Sequence, residues 1–186
     1  MLVFSTGLHK LLLGYVRYPL SRHCEREAFL SDSPLNRVEG NVMGVGAYEA
    51  NRLIALVQTF HGESGHAVGP EHVEAIRKLC VDSTLGQAWI LAVGDQDVGY
   101  ALAYYRHSID HGGRIAFLDD LWVTVKRRGH GLGARLLKAV CEDLRAVGAR
   151  AVLLEVDPAN EVAISLYSRF GFIHTGTAFY VKGLLV

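Results

Sequence analysis

The segment Val123-Thr-Val-Lys-Arg-Arg-Gly-His-Gly-Leu-Gly-Ala134 combines three consecutive cations with three alternating glycines and leads into a helical pattern. Glycines at these positions let the backbone turn sharply and leave amide N–H groups uncovered. An anion can therefore sit against the positive end of the helix that follows. The preceding cations, Lys126, Arg127 and Arg128, add positive charge at the rim, and arginine can hold phosphate through two parallel hydrogen bonds. The segment predicts a pyrophosphate-binding loop.

Two other phosphate-binding patterns compete for this loop. The Walker pattern ends in Gly-Lys-Ser/Thr, whereas Gly133 is followed by Ala134 and Arg135. The dinucleotide fingerprint fits better, because Gly129-x-Gly131-x-x-Ala134 has its spacing and Glu155 stands where a ribose-binding acid is expected. In that fingerprint, however, the first glycine follows the strand almost directly, and too little chain remains here for a doubly wound sheet. A dinucleotide-binding oxidoreductase is therefore the weaker alternative.

The loop is one of three motifs that resemble the GNAT superfamily of N-acetyltransferases. Arg128-x-x-Gly131-x-Gly133 is similar to the acyl-CoA pyrophosphate loop of that family. Asn160-x-x-Ala163-x-x-Leu166-Tyr167-x-x-Phe170-Gly171-Phe172 resembles the family's next helix and its exit into a strand. Leu118-Asp119-Asp120-Leu121-Trp122-Val123 resembles its central strand. The three motifs follow the family's order and spacing, and the resemblance extends over roughly residues 45 to 183.

This resemblance assigns the site residues to the strand, the loop and the later helix. The positions that it implies for acyl-CoA binding are Leu121, Trp122, Val123, Arg128, Gly129, His130, Gly131, Leu132, Gly133, Ala134 and Asn160. Asn160 would bind the pantetheine arm, cap its helix, or do both. The backbone of residues 121–123 would pair with pantetheine amides like an added strand, and one N–H could hold the thioester oxygen. Tyr167 is implied as the general acid toward the departing CoA sulfur, since a phenol stays protonated at neutral pH.

Acetylation of an amine also requires a group that accepts the proton of the ammonium ion. Asp119 and Asp120 are the local candidates, and polyamine-type members of the family carry an acidic pair in this strand. Consecutive residues of a regular strand point to opposite faces, so only one carboxylate is expected to face the cleft unless a bulge re-aims the other. Both are therefore assigned to amine attraction or proton removal. The aromatic residues that either line this cleft or pack in the core are Tyr100, Tyr104, Tyr105 and Trp122.

Composition fits a single enzyme domain. The chain has 186 residues, of which 50% are hydrophobic and 20% charged, and its formal net charge is zero. Balanced charge argues against nucleic acid as the main partner, and the absence of a long apolar run argues against a membrane span. Three widely spaced cysteines suit reduced thiols in a cytoplasmic protein, and nine histidines form no zinc pattern, so no metal is predicted. The oligomeric state stays open, with a homodimer as one alternative.

Residues 1–42 fit none of the motifs. The apolar segment from Phe4 to Leu20 is broken by charged residues, which makes it a poor signal peptide. We expect an N-terminal extension over residues 1–42 that is poorly ordered or not native, with initiation near Met43. An N-acetyltransferase domain is expected over residues 43–186.

Hydrophobic periodicity predicts the element order β-α-α-β-β-β-α-β-α-β-β. The helices are expected from Tyr48, from Pro70, over Leu132–Val147 and over Asn160–Phe170. The strands are expected near Val42–Val45, over Ala88–Val93, from Val98, over Arg114–Val125, over Ala151–Val156, over Phe172–Thr175 and over Ala178–Lys182. The resemblance implies an α/β fold with a mixed, mostly antiparallel twisted sheet of six to seven strands. About four helices would flank this sheet, and its splayed central strands would hold acyl-CoA.

These expectations converge on an acetyl-CoA-dependent N-acetyltransferase, an acyltransferase that uses direct attack by a primary amine in a ternary complex. The acceptor would be a small cationic amine or a protein or peptide amine. A non-catalytic module that binds or senses acyl-CoA is the alternative.

Overall fold

One mixed sheet of five strands runs through the described part of the chain. The computed structural model describes residues 38–63, 65–176 and 182. The strands are β1 (Asn41–Gly44), β2 (Gly86–Val93), β3 (Gln96–Ser108), β4 (Gly113–Val123) and β5 (Val152–Leu154). They lie in chain order across the sheet. The first four are antiparallel to their neighbours, and β5 runs parallel to β4.

Two helices cover each face of the sheet. The helices are α1 (Ala50–Glu63), α2 (Pro70–Val81), α3 (Leu132–Ala146) and α4 (Glu161–Arg169). Alternate residues of β2 show the division, because Ala88 and Ile90 pack in the layer of α1 and α2. Trp89 and Leu91 pack in the layer of α3 and α4. Both faces of β2 are thus buried, which explains its nearly continuous apolar sequence.

Local sequence sets the helix boundaries. Gly69 precedes α2, and Pro70 occupies its first turn. A backbone N–H in the first turn has no partner within the helix, so proline loses no hydrogen bond there. The N-terminal end of α3 follows Gly131, whose φ of 75° is a left-handed conformation that favours glycine. Leu132 and Leu136 of α3 are among its buried residues, and burial of each such side chain contributes about 1.5–3 kcal/mol. Packing of this face therefore fixes the helix, and with it the preceding loop, on the sheet.

Two irregularities in β4 shape the centre of the sheet. Leu102 of β3 pairs with Asp120, whereas Ala103 pairs with Leu118, so Asp119 is an extra residue in a β-bulge. On its other side, β4 pairs with β5 only from Ala116 to Leu118. The rest of β4, residues 119–123, continues without a partner in β5. The ladder between the two parallel strands therefore ends at Leu118, one residue before the bulge.

The prediction of six to seven strands is wrong, because five strands are present in the described residues. Residues 172–176, where a strand was expected, contain none. The Phe172 N–H instead donates to the Tyr167 carbonyl at 3.0 Å, and Gly171 adopts a φ of 82°. These residues close the C-terminal end of α4, which prevents an extended strand from starting there. The strand expected over residues 178–182 lies outside the described residues except for Lys182, which belongs to no strand.

The start of the described chain packs onto the rest of the sheet. The strand expected near residues 42–45 is observed as β1, one residue earlier, and Val42 pairs with Leu91. The Gly40 carbonyl accepts a hydrogen bond from Nη1 of Arg135 in α3 at 3.0 Å. The boundary expected between residues 42 and 43 therefore falls inside a strand. Among the helices that the structure describes, none combines the length and apolar character needed to cross a bilayer.

Candidate functional site

The glycine loop connects the end of β4 to the start of α3. A short 3-10 turn over Val125–Arg127 comes first, and Gly129 and Gly131 then have φ values of 79° and 75°. A Cβ added at either glycine would meet nothing within 4 Å, so the loop is open on that side. The first amide N–H groups of a helix have no intrahelical partner. The loop therefore offers uncovered N–H groups and the positive end of a 15-residue helix to an anion.

The other loop positions lie where the sequence motif places them. Leu132 is buried at the first turn of α3, while Gly133 and Ala134 continue the helix. The Nδ1 atom of His130 lies 2.8 Å from the Arg128 carbonyl oxygen, which fixes this half-buried ring against the turn.

The three cations before the loop point in different directions. Lys126 and Arg127 line an open cavity of about 590 Å³ on the side of α1, where Leu56 and Trp122 form part of the wall. Only Arg128 stays with the loop, because its Nε donates to the Val123 carbonyl at 2.8 Å. Its Nη2 atom also lies 3.9 Å from Oε2 of Glu63. The expectation of a common basic rim therefore holds for Arg128 rather than for all three cations.

The bulge brings Asp119 and Asp120 to the same side of the sheet. Asp120 accepts a hydrogen bond of 3.0 Å from the Tyr100 hydroxyl, which belongs to the layer of α1 and α2. Burial raises the pKa of Tyr100 and of Tyr104, which lie in that same layer, and the negative charge of Asp119 raises both further. The rule that consecutive strand residues face opposite ways does not hold here, since the extra residue resets the alternation.

Burial is the main influence on the two carboxylates. It raises the pKa of Asp119 above its ordinary value, while the charge of His61 opposes this shift. Burial also raises the pKa of Asp120, and the nearby charge of Asp119 adds to the increase, whereas the Tyr100 hydrogen bond and His61 oppose it. Two neighbouring, partly desolvated carboxylates attract a cation or hold a proton more readily than isolated surface aspartates do.

An aromatic cluster at the C-terminal end of α1 stands beside this acidic pair. Phe60 lies 6.3 Å from Tyr100 and 6.2 Å from Trp122 between ring centroids, and Tyr100 and Trp122 are 5.9 Å apart. His61 packs edge-on against Phe60 at 5.1 Å, and the indole Nε1 of Trp122 donates to Glu63 at 3.3 Å. We call the region of this cluster and the acidic pair, where the sequence predicts that the amine acceptor binds, the acceptor cleft.

The helix side of the acceptor cleft was not predicted from the sequence, whereas the expected alternative of core packing holds for Tyr105. Phe60, His61 and Glu63, at the C-terminal end of α1, were not among the site residues expected from the sequence, although the polar residues after its apolar stripe were a usable signal. Tyr105 lies in the layer of α3 and α4, where its hydroxyl donates to Gln87 at 3.3 Å and Arg114 stacks on its ring at 4.8 Å. Tyr105 is therefore not part of the cleft.

Helix α4 positions the remaining predicted residues. The Oδ1 atom of Asn160 accepts the Ala163 N–H at 3.1 Å, so its predicted capping role is confirmed. Tyr167 is half-buried, and its ring centroid lies 5.6 Å from that of Phe172. Burial raises the pKa of Tyr167, and the charge of Asp120 raises it further. The phenol thus lies within electrostatic range of Asp120, although it belongs to the opposite layer.

The unpaired side of β4 completes the site. Leu121 and Val123 contribute to the layer of α3 and α4, and Trp122 to the layer of α1 and α2. On the side of β5 their backbone has no strand partner among the described residues, since β5 ends at Leu154 opposite Leu118. An extended chain can add to a strand edge of this kind. Nowhere in residues 38–63, 65–176 and 182 do three or more His, Cys, Asp or Glu side chains form a group that could hold a metal ion.

Comparison with known proteins agrees with this geometry. The family model described as "Acetyltransferase (GNAT) family" matches residues 50–172. The thialysine N-epsilon-acetyltransferase of Bos taurus is 35% identical over 74 residues, which cover 40% of this chain and 43% of that protein. This chain therefore matches less than half the length of that relative.

Two solved structures extend the comparison to the fold. An integron cassette protein from the mobile metagenome of Cole Harbour Salt Marsh aligns with a TM-score of 0.70 at 30% identity, covering 78% of this chain and 91% of that one. An aminoglycoside N-acetyltransferase in complex with CoA aligns with a TM-score of 0.66 at 17% identity, covering 79% and 96%. The latter shows likeness of fold alone. Since the family model matches well over half of the chain, the resemblance seen in the sequence is confirmed, and the chain belongs to the GNAT family of acetyltransferases.

Proposed function

We propose that this chain is an N-acetyltransferase that transfers an acetyl group from acetyl-CoA to a primary amine in a ternary complex. The observation that carries the proposal is the end of the β4–β5 ladder at Leu118, which leaves a gap in strand pairing beside residues 119–123, with the glycine loop at one end and the acidic pair beside it. A donor can lie in this gap while an acceptor reaches the same point from the acceptor cleft. The family membership and the CoA complex of a structural neighbour support acetyl-CoA as donor.

The donor would be held mainly by backbone groups. Amide N–H groups around Gly129 and Gly131 would bind the pyrophosphate, with Arg128 as the nearest cation. The free side of residues 121–123 would pair with the pantetheine amides as an added strand. A backbone N–H on this strand would also hold the thioester oxygen and stabilise the negative charge that develops there. Asn160 supports this arrangement by fixing the start of α4.

Acetyl transfer would then proceed by direct attack. Asp119 and Asp120 would attract the ammonium form of the acceptor and take its proton, directly or through water. The neutral amine attacks the thioester carbon, and the C–S bond breaks as the tetrahedral intermediate collapses to an amide. Tyr167 donates its proton to the departing CoA sulfur, and its raised pKa keeps the phenol protonated until that step. The proton lost by the amine replaces the one lost by the phenol when the site resets.

The acceptor cleft favours a cationic amine. It carries two carboxylates near the partly buried ring of Phe60, and both kinds of group attract alkylammonium ions. A bovine relative is named for acetylation of the ε-nitrogen of thialysine, which supports a basic, lysine-like amine. A polyamine or a protein amine has the same charge and stays within the proposal.

Ligand binding and turnover test the proposal together. Thermal unfolding is measured with acetyl-CoA, CoA, NAD and ATP in parallel, and thiol release is then measured with thialysine, spermidine, an aminoglycoside and a short peptide as acceptors. We expect stabilisation by the two CoA species alone. We also expect thiol release with at least one amine. Stabilisation without turnover on any amine would favour the non-catalytic acyl-CoA module, and stabilisation by NAD alone would refute the donor assignment.

A further inference from the structure

The carboxylate of Glu63, the last residue of α1, joins the acceptor cleft to the glycine loop. Its Oε2 atom accepts a hydrogen bond from the Trp122 indole at 3.3 Å. The same oxygen lies 3.9 Å from Nη2 of Arg128. Arg128 in turn donates from Nε to the Val123 carbonyl at the end of β4. A single carboxylate thus contacts the wall of the cleft and the first residue of the loop motif.

The two contacts of Glu63 differ in how firmly they are held. Trp122 is 5% exposed, and its ring is fixed by Phe60 and Tyr100. The Arg128 and Glu63 side chains are 54% and 37% exposed, so their ion pair faces solvent. Exposed ion pairs are weak, and their long side chains rearrange readily. An anion of higher charge can therefore draw Arg128 away while the Trp122 contact stays in place.

We propose that Glu63 is a positioning residue that holds Arg128 beside the acceptor cleft until the donor pyrophosphate competes for it. The inference rests on the proposed function, because it requires a pyrophosphate at the glycine loop. Arginine binds phosphate oxygens with two parallel hydrogen bonds, which a single carboxylate oxygen at 3.9 Å does not provide. Donor binding therefore releases Glu63 from its cation.

Release of Glu63 changes the charge at the rim of the acceptor cleft. The uncompensated carboxylate adds to the negative charge of Asp119 and Asp120 and strengthens the attraction for an ammonium ion. Donor and acceptor binding are then coupled, and thermodynamic linkage makes the coupling equal in both directions. The contact accordingly makes the affinity for each substrate higher when the other substrate is bound.

The sign of one substitution separates this role from that of a structural brace. Glu63→Gln keeps an oxygen that can accept the Trp122 hydrogen bond but removes the charge that competes for Arg128. If Glu63 were only a structural brace, the Glu63→Gln protein would bind CoA as tightly as the wild type or less tightly. The proposed role predicts tighter binding, because Arg128 becomes available and a negative charge near the phosphates is lost.

Titration calorimetry with CoA tests the prediction on the full chain. We expect Glu63→Gln to lower the Kd for CoA about 3-fold, the size of effect that a weak surface ion pair produces. Glu142→Gln is the matched control, because Glu142 also forms an exposed ion pair, with Lys138 on α3 at 3.8 Å, but lies away from the loop. Unchanged or weaker CoA binding by Glu63→Gln would overturn the proposal, as would an equal gain in the control. Failure of the wild-type chain to bind CoA would refute the proposed function itself.

Tryptophan fluorescence provides a second readout that needs no acceptor. The chain has two tryptophans, so Trp89→Phe leaves Trp122 as the reporter. Loss of the Arg128 contact on CoA binding alters the charge beside the indole, and we expect a shift in its emission. The shift should shrink when Glu63→Gln is added, although CoA still binds. An identical shift with and without Glu63→Gln would contradict the proposed link.

Discussion

At the scale of single residues, an extra residue in β4 creates the acidic centre of the site. Without the bulge at Asp119, the two carboxylates would face opposite layers and could not act on one amine. With it, Asp120 bonds to Tyr100 while Asp119 acts on the same tyrosines. Partial burial of Asp120 costs folding free energy, since desolvation disfavours its charged form. The chain thus gives up some stability for a pair that attracts a cation.

This cost predicts opposite effects of Asp120→Asn on stability and activity. The pKa of Asp120 is higher in the folded chain than in the unfolded chain, so the folded chain holds this proton more tightly. Stability therefore falls as the pH rises from the unfolded pKa to the folded pKa. At neutral pH we expect Asp120→Asn to raise Tm by a few degrees and to lower kcat/KM by roughly 10²-fold, a typical effect of losing an acid–base group. Calorimetric scans and steady-state kinetics measure the two quantities.

Asp110→Asn, in the turn between β3 and β4, is the control for charge removal at an exposed site. Loss of stability in Asp120→Asn without loss of turnover would show that the carboxylate serves the fold instead of the reaction.

The phenol of Tyr167 yields a second prediction at this scale. If it protonates the departing sulfur, Tyr167→Phe should lower kcat roughly 10²-fold while the Kd for CoA changes little. Burial also raises the pKa of Tyr105, but its hydroxyl bonds to Gln87 away from the cleft, so Tyr105→Phe is the matched control. Thiol release at saturating acetyl-CoA measures the effect. Equal turnover in both variants would remove Tyr167 from the mechanism.

At the scale of elements, the turn between β4 and α3 is the part on which donor binding depends most. Gly131 has a φ of 75° just before α3, and a side chain there carries backbone strain of about 1–2 kcal/mol. We expect Gly131→Ala to lower stability by about that amount and to weaken CoA binding, because the methyl group stands on the open side of the loop. Gly148→Ala, at the other end of α3 with a φ of 81°, should lose similar stability without weaker CoA binding. Equal CoA affinity in both variants would contradict the loop assignment.

The elements that periodicity predicted best are those with one strongly apolar side. The expected span of α3 over residues 132–147 agrees with the observed Leu132–Ala146, since its apolar stripe is regular and Gly148 follows. The strand expected over residues 151–156 is observed only over Val152–Leu154. Its apolar run reports burial and does not show where pairing with β4 stops. The bulge also left no local signal, because it arises from the register of β3 on β4.

The residues of the site were predictable to the extent that they belong to a local motif. The loop glycines, Asn160 and Tyr167 follow fixed spacings, so a motif of adjacent residues is enough to select them. His61 and Glu63 come from a helix distant in sequence, and only the packing of α1 over Trp122 brings them to the cleft. Contacts of this kind depend on tertiary structure and carry no spacing rule.

At the scale of the whole molecule, the start of the domain can be located by truncation. A chain that begins at Met43 loses the Val42 pair with Leu91 and the Gly40 contact with Arg135. We expect it to unfold at a lower temperature, by several degrees, than a chain that begins at Val38. The longer form should keep the full turnover rate. Identical Tm values for the two chains would show that residues 38–42 are dispensable and would favour a domain that starts at residue 43.

The central claim is that donor and acceptor meet between the separated strands and exchange an acetyl group. Mass spectrometry of wild-type reactions with acetyl-CoA and either thialysine or spermidine tests it most directly, with the Tyr167→Phe chain in parallel. We predict one acetylated amine for each CoA released, and a much slower yield with the variant. CoA binding with no acetylated amine from any acceptor of the panel, or equal yields from wild type and variant, would contradict the account.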